Sequence, residues 1–328
     1  MVVTINDYFK DAVSAVKEKE PSLKLSYSGM DVFCNCNYRY NKTYNEGKRA
    51  FETTLALELG SICHKALECK GLAIQNNDPV DYEYLNDILF NGFDEITEKT
   101  RETLLGVNAL KKKYFEDWYT VDKESGLDYD HKVEIFKKVL EKEMNSDDGW
   151  KPVYFELPFK FVYKNKVIFN GFIDRVDINQ NGDYRVIDYK TSKKIYDRSK
   201  LTTSLQFGIY ALAIYQMFGR LPVEYIYRFV LLDKKQEAMT KGFEGRLEKK
   251  LDNILAKMDK NAEAHEWKPS PSPLCHWCSF SVTNPTAKQY KDECPYYSLW
   301  TPTNKTFDVH KAYNPKEEFN TKIRKLIF

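Results

Sequence analysis

Long apolar runs are missing from this chain. No window of about 18 uncharged apolar residues occurs, so no membrane-spanning helix is expected. The start lacks a charged-then-apolar pattern, and no export signal is expected. A strong charge of one sign is missing too. With 50 basic and 48 acidic residues the net charge is +2, so any grip on nucleic acid must come from a local patch. There is no low-complexity tract, and no internal repeat, which excludes a repeat architecture. A GxxxxGK(S/T) loop is also absent, which excludes a helicase motor built on it.

What is present suits a soluble globular protein. Apolar residues make up 42% and charged residues 30%, and 328 residues can hold one large or two ordinary domains with a real core. Seven cysteines in an intracellular chain this long read as metal ligands or free thiols before disulfides. The expected location is the cytoplasm, of a bacterium or of a phage-infected host.

The chain is organised around 151–194, and above all around GFIDRVD (Gly171–Asp177) and VIDYKTS (Val186–Ser192). Both read as strands, with Asn179–Asp183 between them as turn chemistry. A three-residue loop, Gln180–Gly182 with Gly182 left-handed, sets Asp174 opposite Asp188, Val176 opposite Val186 and Ile178 opposite Tyr184. It also pairs Asp177 with Arg185 on the other face. A two-residue loop would split the two aspartates onto opposite faces. Asp188 and Lys190 are two apart and leave their strand on one face. Two acids and a lysine on an apolar sheet face need a reason, because unpaired charge is costly there. One reading is a divalent metal held by Asp174 and Asp188, with Lys190 contacting a phosphate or polarising the attacking water. The other is a buried salt bridge in a hairpin.

Around this centre, residues 1–24 read as a short helix ending near Pro21, and residues 48–70 as a helix carrying His64 on an apolar face. That histidine is either a satisfied core residue or part of a site. Residues 80–148 show helical periodicity and no chemical motif; Lys111–Lys113 there read as a solvated helix face. Next come a strand, Val153–Tyr163, containing Glu156, and after the hairpin an amphipathic helix, Leu201–Phe218. On that helix Gln206 and Tyr210 are neighbours four apart. A strand (Val223–Leu232) and a charged helix (about 242–263) follow. The order β-β-β-α-β predicts an α/β layer with a mixed sheet.

Cys275 and Cys278 form a CxxC in a proline-rich turn context, and Cys294 precedes Pro295. With an amino-terminal cysteine they make four thiolates, which suit zinc or an iron–sulfur cluster. Cys63 and Cys69 share a helix without ligand spacing and read as packing.

Taken together, SxSxxxxFxxC (Ser26, Ser28, Phe33, Cys36), GSxxHxxLE, GxxDRxD, IDYKT, QxxxY and the CxxC with a last cysteine resemble the RecB-like branch of the PD-(D/E)xK nucleases. More particularly, the chain resembles the iron–sulfur members: CRISPR-adaptation exonucleases, AddB-type nuclease domains and the eukaryotic replication helicase–nuclease. The resemblance implies an α/β, restriction-endonuclease-like core with a mixed central sheet flanked by helices, a helical insertion and an iron–sulfur cap. It implies that His64, Asp174, Asp188 and the Tyr189 carbonyl ligate Mg²⁺ or Mn²⁺, that Lys190 is the catalytic lysine, and that Glu156 is a supporting acid. Gln206 and Tyr210 would contact DNA. Cys36, Cys275, Cys278 and Cys294 would hold a 4Fe-4S cluster. Two departures stand out: Ser279–Glu293 separate the CxxC from Cys294, which keeps zinc beside iron, and Asn37 replaces the family's proline.

The expected organisation is one nuclease domain over 1–295 with an extension over 296–328. The domain comprises a cluster segment and His helix (25–71), an insertion (72–150), the catalytic sheet (151–235) and a cysteine cap (265–295). The implied activity is a metal-dependent DNA exonuclease on single strands or ends, serving replication, recombination or repair, with a separate helicase or recombination protein as partner. A structure-specific endonuclease and a non-catalytic DNA-end-binding subunit are the alternatives.

Overall fold

The computed structural model describes residues 13–14, 21–49, 55–83, 85, 129–145, 148–192, 194–238, 243–284, 287, 289–291, 293–301 and 306–311. They divide into two compact units, Met1–Leu25 with Thr53–Glu248, and Ser26–Glu52 with Lys249–Phe328. In chain order the elements are β1 (Val13–Ser14), β2 (Leu23–Leu25), α1 (Tyr27–Asn35), α2 (Asn37–Tyr40), α3 (Leu55–Asn76) and α4 (Tyr129–Lys142). Then follow β3 (Trp150–Tyr163), β4 (Val167–Asn179), β5 (Tyr184–Lys190), α5 (Arg198–Thr202), α6 (Leu205–Phe218), β6 (Glu224–Phe229), β7 (Lys234–Glu237), α7 (Phe243–Glu263), β8 (Tyr296–Thr301) and β9 (Thr306–Lys311).

The first unit is a mixed α/β layer on a seven-stranded sheet ordered β1-β3-β4-β5-β6-β7, with β2 also paired to β4. The β1–β3, β3–β4, β4–β5 and β6–β7 pairs are antiparallel, β2 pairs parallel to β4, and β5 to β6 is a parallel step made through α6. α3 and α4 cover one face, where Ile62, Leu67, Phe136 and Leu140 join Ile187 and Ile226 in a buried cluster. α6 covers the other: Phe207 lies 4.4 Å from Tyr227, and Phe218 stacks on Tyr154 and Tyr184. Among the described residues no helix is long and apolar enough to cross a membrane.

Three expectations need correction. Within 1–24 the described Val13–Ser14 and Leu23–Lys24 are strand, and none of the described residues there is helix. Leu23–Lys24–Leu25 alternates apolar with charged, and Leu25 is buried, so the segment adds to β4 as a strand. The helix expected over Leu201–Phe218 is two, because Ser204 caps a new start, its Oγ accepting from the Phe207 amide. Nor is α6 amphipathic: Gln206 through Ile214 are all buried, because Leu247 of α7 packs on it at Gly208. Lys111–Lys113 lie outside the described residues.

Buried charge ties α4 to the sheet. Arg175 holds Asp177 with two bonds (2.6 and 2.9 Å), Arg185 holds the same carboxylate (2.6 and 3.0 Å), and the expected Asp177–Arg185 pairing is the observed one. Glu143, just after α4, accepts from Arg175 (3.1 Å) and from Arg228 (2.9 Å). The fully buried Lys70 caps the end of α4, donating to the carbonyls of Leu140 (2.6 Å) and Glu141 (3.0 Å), and so ties α3 to α4.

In the second unit, Phe33, Tyr40 and Trp267 form an aromatic cluster. The Tyr38 hydroxyl donates to the Glu293 carbonyl (2.5 Å) and Lys48 pairs with the Glu293 carboxylate (2.7 Å), which joins the unit's two sequence segments. β8 and β9 form an antiparallel hairpin.

The network yields a stability prediction. Glu143→Ala takes one of two carboxylates from each of the buried Arg175 and Arg228, which keep Asp177 and Asp233, and is expected to cost about 3 kcal/mol in urea unfolding. A loss below about 1 kcal/mol would contradict the network's weight.

Candidate active site

The site begins with a turn. Asn179 Oδ1 accepts the amides of Asn181 (2.9 Å) and Asp183 (3.0 Å), and Gly182 takes φ 77°, so the loop is the three-residue one. The ladder pairs Val176 with Val186 and Ile178 with Tyr184, and continuing it sets Asp174 opposite Asp188. Regular pairing stops one step short, at Arg175 and Ile187. There Asp174 Oδ2 takes the Tyr189 amide at 2.7 Å. The Tyr189 ring is buried on the α3 side, and its hydroxyl accepts from Arg175 (3.3 Å).

On the other neighbour, β3, the residue across from Asp174 is Glu156, between the pairs Phe155–Arg175 and Leu157–Ile173. Glu156 has φ 43°, a left-handed conformation that is costly for a non-glycine residue inside a strand. α3 brings in His64, whose Nδ1 lies 3.5 Å from Asp174 Oδ2 and 3.9 Å from Glu156 Oε1. One ligand atom from each of His64, Glu156 and Asp174 lies within 4.8 Å of the others. Sequence reasoning placed Glu156 on a strand but missed its kink, for which the run FELP carries no signal.

A second knot adjoins the first. Asp188 is buried, and its Oδ1 accepts from Gln206 Nε2 at 2.6 Å and from the Tyr210 hydroxyl at 3.5 Å. Lys190 Nζ lies against Asp188 Oδ2 and donates to Gln206 Oε1 at 3.1 Å. Gln206 thus joins both ends of the Asp188–Lys190 pair. Ser204, which sequence reasoning missed, holds the Tyr227 hydroxyl at 2.6 Å, and the Tyr227 ring lies 5.6 Å from Lys190 Nζ. Its signal was legible as a serine just before an apolar run.

The electrostatics ask for positive charge. Burial pushes the Asp188 carboxyl up to about 6, with Lys190 opposing and Asp174 adding to the rise. Burial also raises Asp174, against the pull of His64. At His64 burial favours the neutral ring, yet Asp174, Glu156 and Asp188 outweigh it and raise the imidazole to about 9. Lys190 is likewise held charged: burial opposes this, and Asp188 overcomes it. An imidazole nitrogen and two carboxylates, those of His64, Glu156 and Asp174, fit a divalent cation, and Asp188, held by Lys190 and Gln206, adjoins this group without being part of it.

The second unit gathers the cysteines. Cys36 lies in extended backbone between α1 and α2, Cys275 lies within the turn Pro273–Trp277, and Cys278 directly follows it. These three and Cys294 line one cavity, with Tyr38 and Phe280. Cys34 is exposed, Cys63 is buried in the first unit, and neither lines it. Burial raises the Cys278 thiol, and it raises Cys294 to about 12, with the other cysteines adding in both cases. Four thiols round one hollow fit a thiolate-bound inorganic group.

A family model, the PD-(D/E)XK nuclease superfamily, matches residues 24–283. The chain belongs to this superfamily. Asp188, Tyr189 and Lys190 spell the (D/E)XK of the superfamily's name. Curated relatives include a subunit of the ATP-dependent helicase/deoxyribonuclease of Clostridium perfringens (strain 13), 25% identical over 225 residues. That match covers 59% of this chain and 17% of the relative. The corresponding helicase/deoxyribonuclease subunit of Streptococcus agalactiae (strain NEM316) is 25% identical over 193 residues, 57% of this chain and 16% of the relative. The superfamily member described here therefore spans under a fifth of the length of these relatives.

Proposed function

We propose that the chain is a metal-dependent deoxyribonuclease that acts as an exonuclease on single-stranded DNA or DNA ends. Replication, recombination or repair is its setting. The observation that carries this reading is the convergence of His64, Glu156 and Asp174 within 4.8 Å, beside the Asp188–Lys190 pair. His64, Asp174 and Asp188 hold Mg²⁺ or Mn²⁺, with the Tyr189 carbonyl and Glu156 as further ligands. The cation supplies Lewis-acid stabilisation of charge on the scissile phosphate and makes nearby water more acidic. Lys190 offers a fixed positive charge to the phosphate and orients the attacking water. Gln206 and Tyr210 serve the strand near the cut; their burial and their bonds to Asp188 and Lys190 support a positioning part as well. A separate helicase or recombination protein is the proposed partner.

In the second unit, Cys36, Cys275, Cys278 and Cys294 hold a 4Fe-4S cluster as a structural staple. The four thiols that line one cavity support a thiolate-bound inorganic group there, with zinc as the alternative to the cluster.

These assignments carry three predictions. Asp188→Ala or Lys190→Ala should abolish Mg²⁺- or Mn²⁺-dependent cleavage of end-labelled single-stranded DNA while leaving folding and DNA binding in place. Gln206→Ala should lower kcat more than it raises KM. Wild-type-like cleavage by the Asp188 or Lys190 variant would sink the catalytic assignment, and rapid cutting of circular single strands would replace the exonuclease with an endonuclease. For the cysteines, anaerobically purified protein should be brown and contain iron, and Cys36→Ser should lose the colour while Cys34→Ser keeps it. Zinc in place of iron would overturn the cofactor, and a brown Cys36→Ser protein would overturn the ligand choice.

A further inference from the structure

β4 is bonded to β3 along nearly its whole length, but its other edge is shared between two strands. β2 pairs with it as far as Phe169, and the β5 ladder begins only at Arg175. Residues 170–174 fall in the gap between these two ladders, immediately before the carboxylate of Asp174. Phe172 stands in this gap and is 60% exposed. The other exposed large apolar side chains described in the first unit, Leu72, Ile195 and Val223, are aliphatic. Across the ladder Phe172 faces Pro158, which is also exposed, two residues beyond Glu156. Two residues of strand put Phe172 roughly 7 Å from Asp174 along β4.

The backbone that presents this ring is fixed from below. At Gly171 a Cβ would fall 2.9 Å from the Phe159 ring, so β4 rests directly on that ring. Phe159 in turn meets the Tyr210 ring edge-on at 6.0 Å, and the Tyr210 hydroxyl reaches Asp188. The strand backbone is therefore packed through Gly171 and Phe159 against the same Tyr210 that reaches Asp188, and Phe172, the next residue, presents its ring on the other, open face.

We propose that Phe172 is the platform on which an unpaired base of the substrate strand stacks next to the scissile phosphate. The inference rests on the nuclease reading above and deepens it. A phosphodiester carried to Asp174 and Asp188 brings a flat base within reach of the nearest exposed ring, and every base offers a π-face to an aromatic side chain. A base inside a duplex is already stacked and cannot be shared this way, so Phe172 favours single strands and frayed ends over intact duplex.

The test uses the full chain, a short single-stranded oligonucleotide and a set of the same oligonucleotides carrying one abasic residue at successive positions. Stacking worth about 1–3 kcal/mol per base corresponds to a weakening of about 5- to 150-fold. Phe172→Ala is expected to raise KM, and the dissociation constant measured without divalent metal, by about tenfold, with a smaller change in kcat. Phe172→Tyr and Phe172→Trp should restore both, and thermal melting should show each variant folded. In the wild type one abasic position should cost a similar factor, and in Phe172→Ala that same position should cost nothing further. If Phe172→Ala binds and cleaves single strands as the wild type does, or if the abasic effect persists in it, the stacking role is overturned while the nuclease reading stands. If the wild type cleaves no DNA with Mg²⁺ or Mn²⁺, the nuclease reading falls, and the metal-free binding comparison still decides for or against Phe172.

Discussion

Two carboxylates on neighbouring strands, Asp174 and Asp188, are held side by side in a poorly solvated place, and like charges so placed repel strongly. Much of the first unit can be understood as the scaffold that keeps them there. The Asn179–Asp183 turn sets their register, and the Tyr189 amide anchors Asp174. Gln206 and Lys190 anchor Asp188. His64 arrives from α3, itself tied to α4 through Lys70, and its raised pKa shows how strongly the acids call for a positive neighbour. A strained residue, Glu156, adds a third acid on the strand across from Asp174. Such strain persists only where surrounding structure enforces it, and it is concentrated at sites that use it.

The charges on the opposite face of the sheet are of another kind. Arg175, Arg185 and Arg228 meet Asp177 and Glu143 in closed, well-bonded pairs, while the Glu156 and Asp174 carboxylates share the one imidazole of His64 at 3.9 and 3.5 Å. Closed pairs need nothing further, whereas an open carboxylate cluster has spare coordination. That contrast separates the structural network from the candidate site. The cysteines follow the same logic in the second unit, where four thiols share one cavity and Cys34 faces solvent.

The β4–β5 hairpin was legible in the sequence because turn chemistry and strict alternation agree on one register, and that register carries Asp174 and Asp188 with it. The helix with His64 and the β-α-β step after it were legible from apolar spacing. Other features were not, for physical reasons. Leu23–Leu25 is too short for alternation to speak before β4 is there to receive it. Burial of α6 on every side depends on α7, far along the chain. The spacing of Gln206 and Tyr210 shows that they are neighbours, but not that they turn toward Asp188. The bond from Arg175 to Glu143 spans 32 residues, and no local pattern encodes it. The CxxC was plain by itself, whereas Cys36 rather than Cys34 came from the family resemblance.

The central claim is that His64, Asp174 and Asp188 hold a divalent cation, with Glu156 as a further ligand. Calorimetric titration of Mn²⁺ into the full chain, compared with Glu156→Ala, tests it without relying on cleavage. Saturable binding to the wild type, weakened at least tenfold in Glu156→Ala, is the predicted result. Absence of Mn²⁺ binding, or equal affinity in the variant, would contradict it.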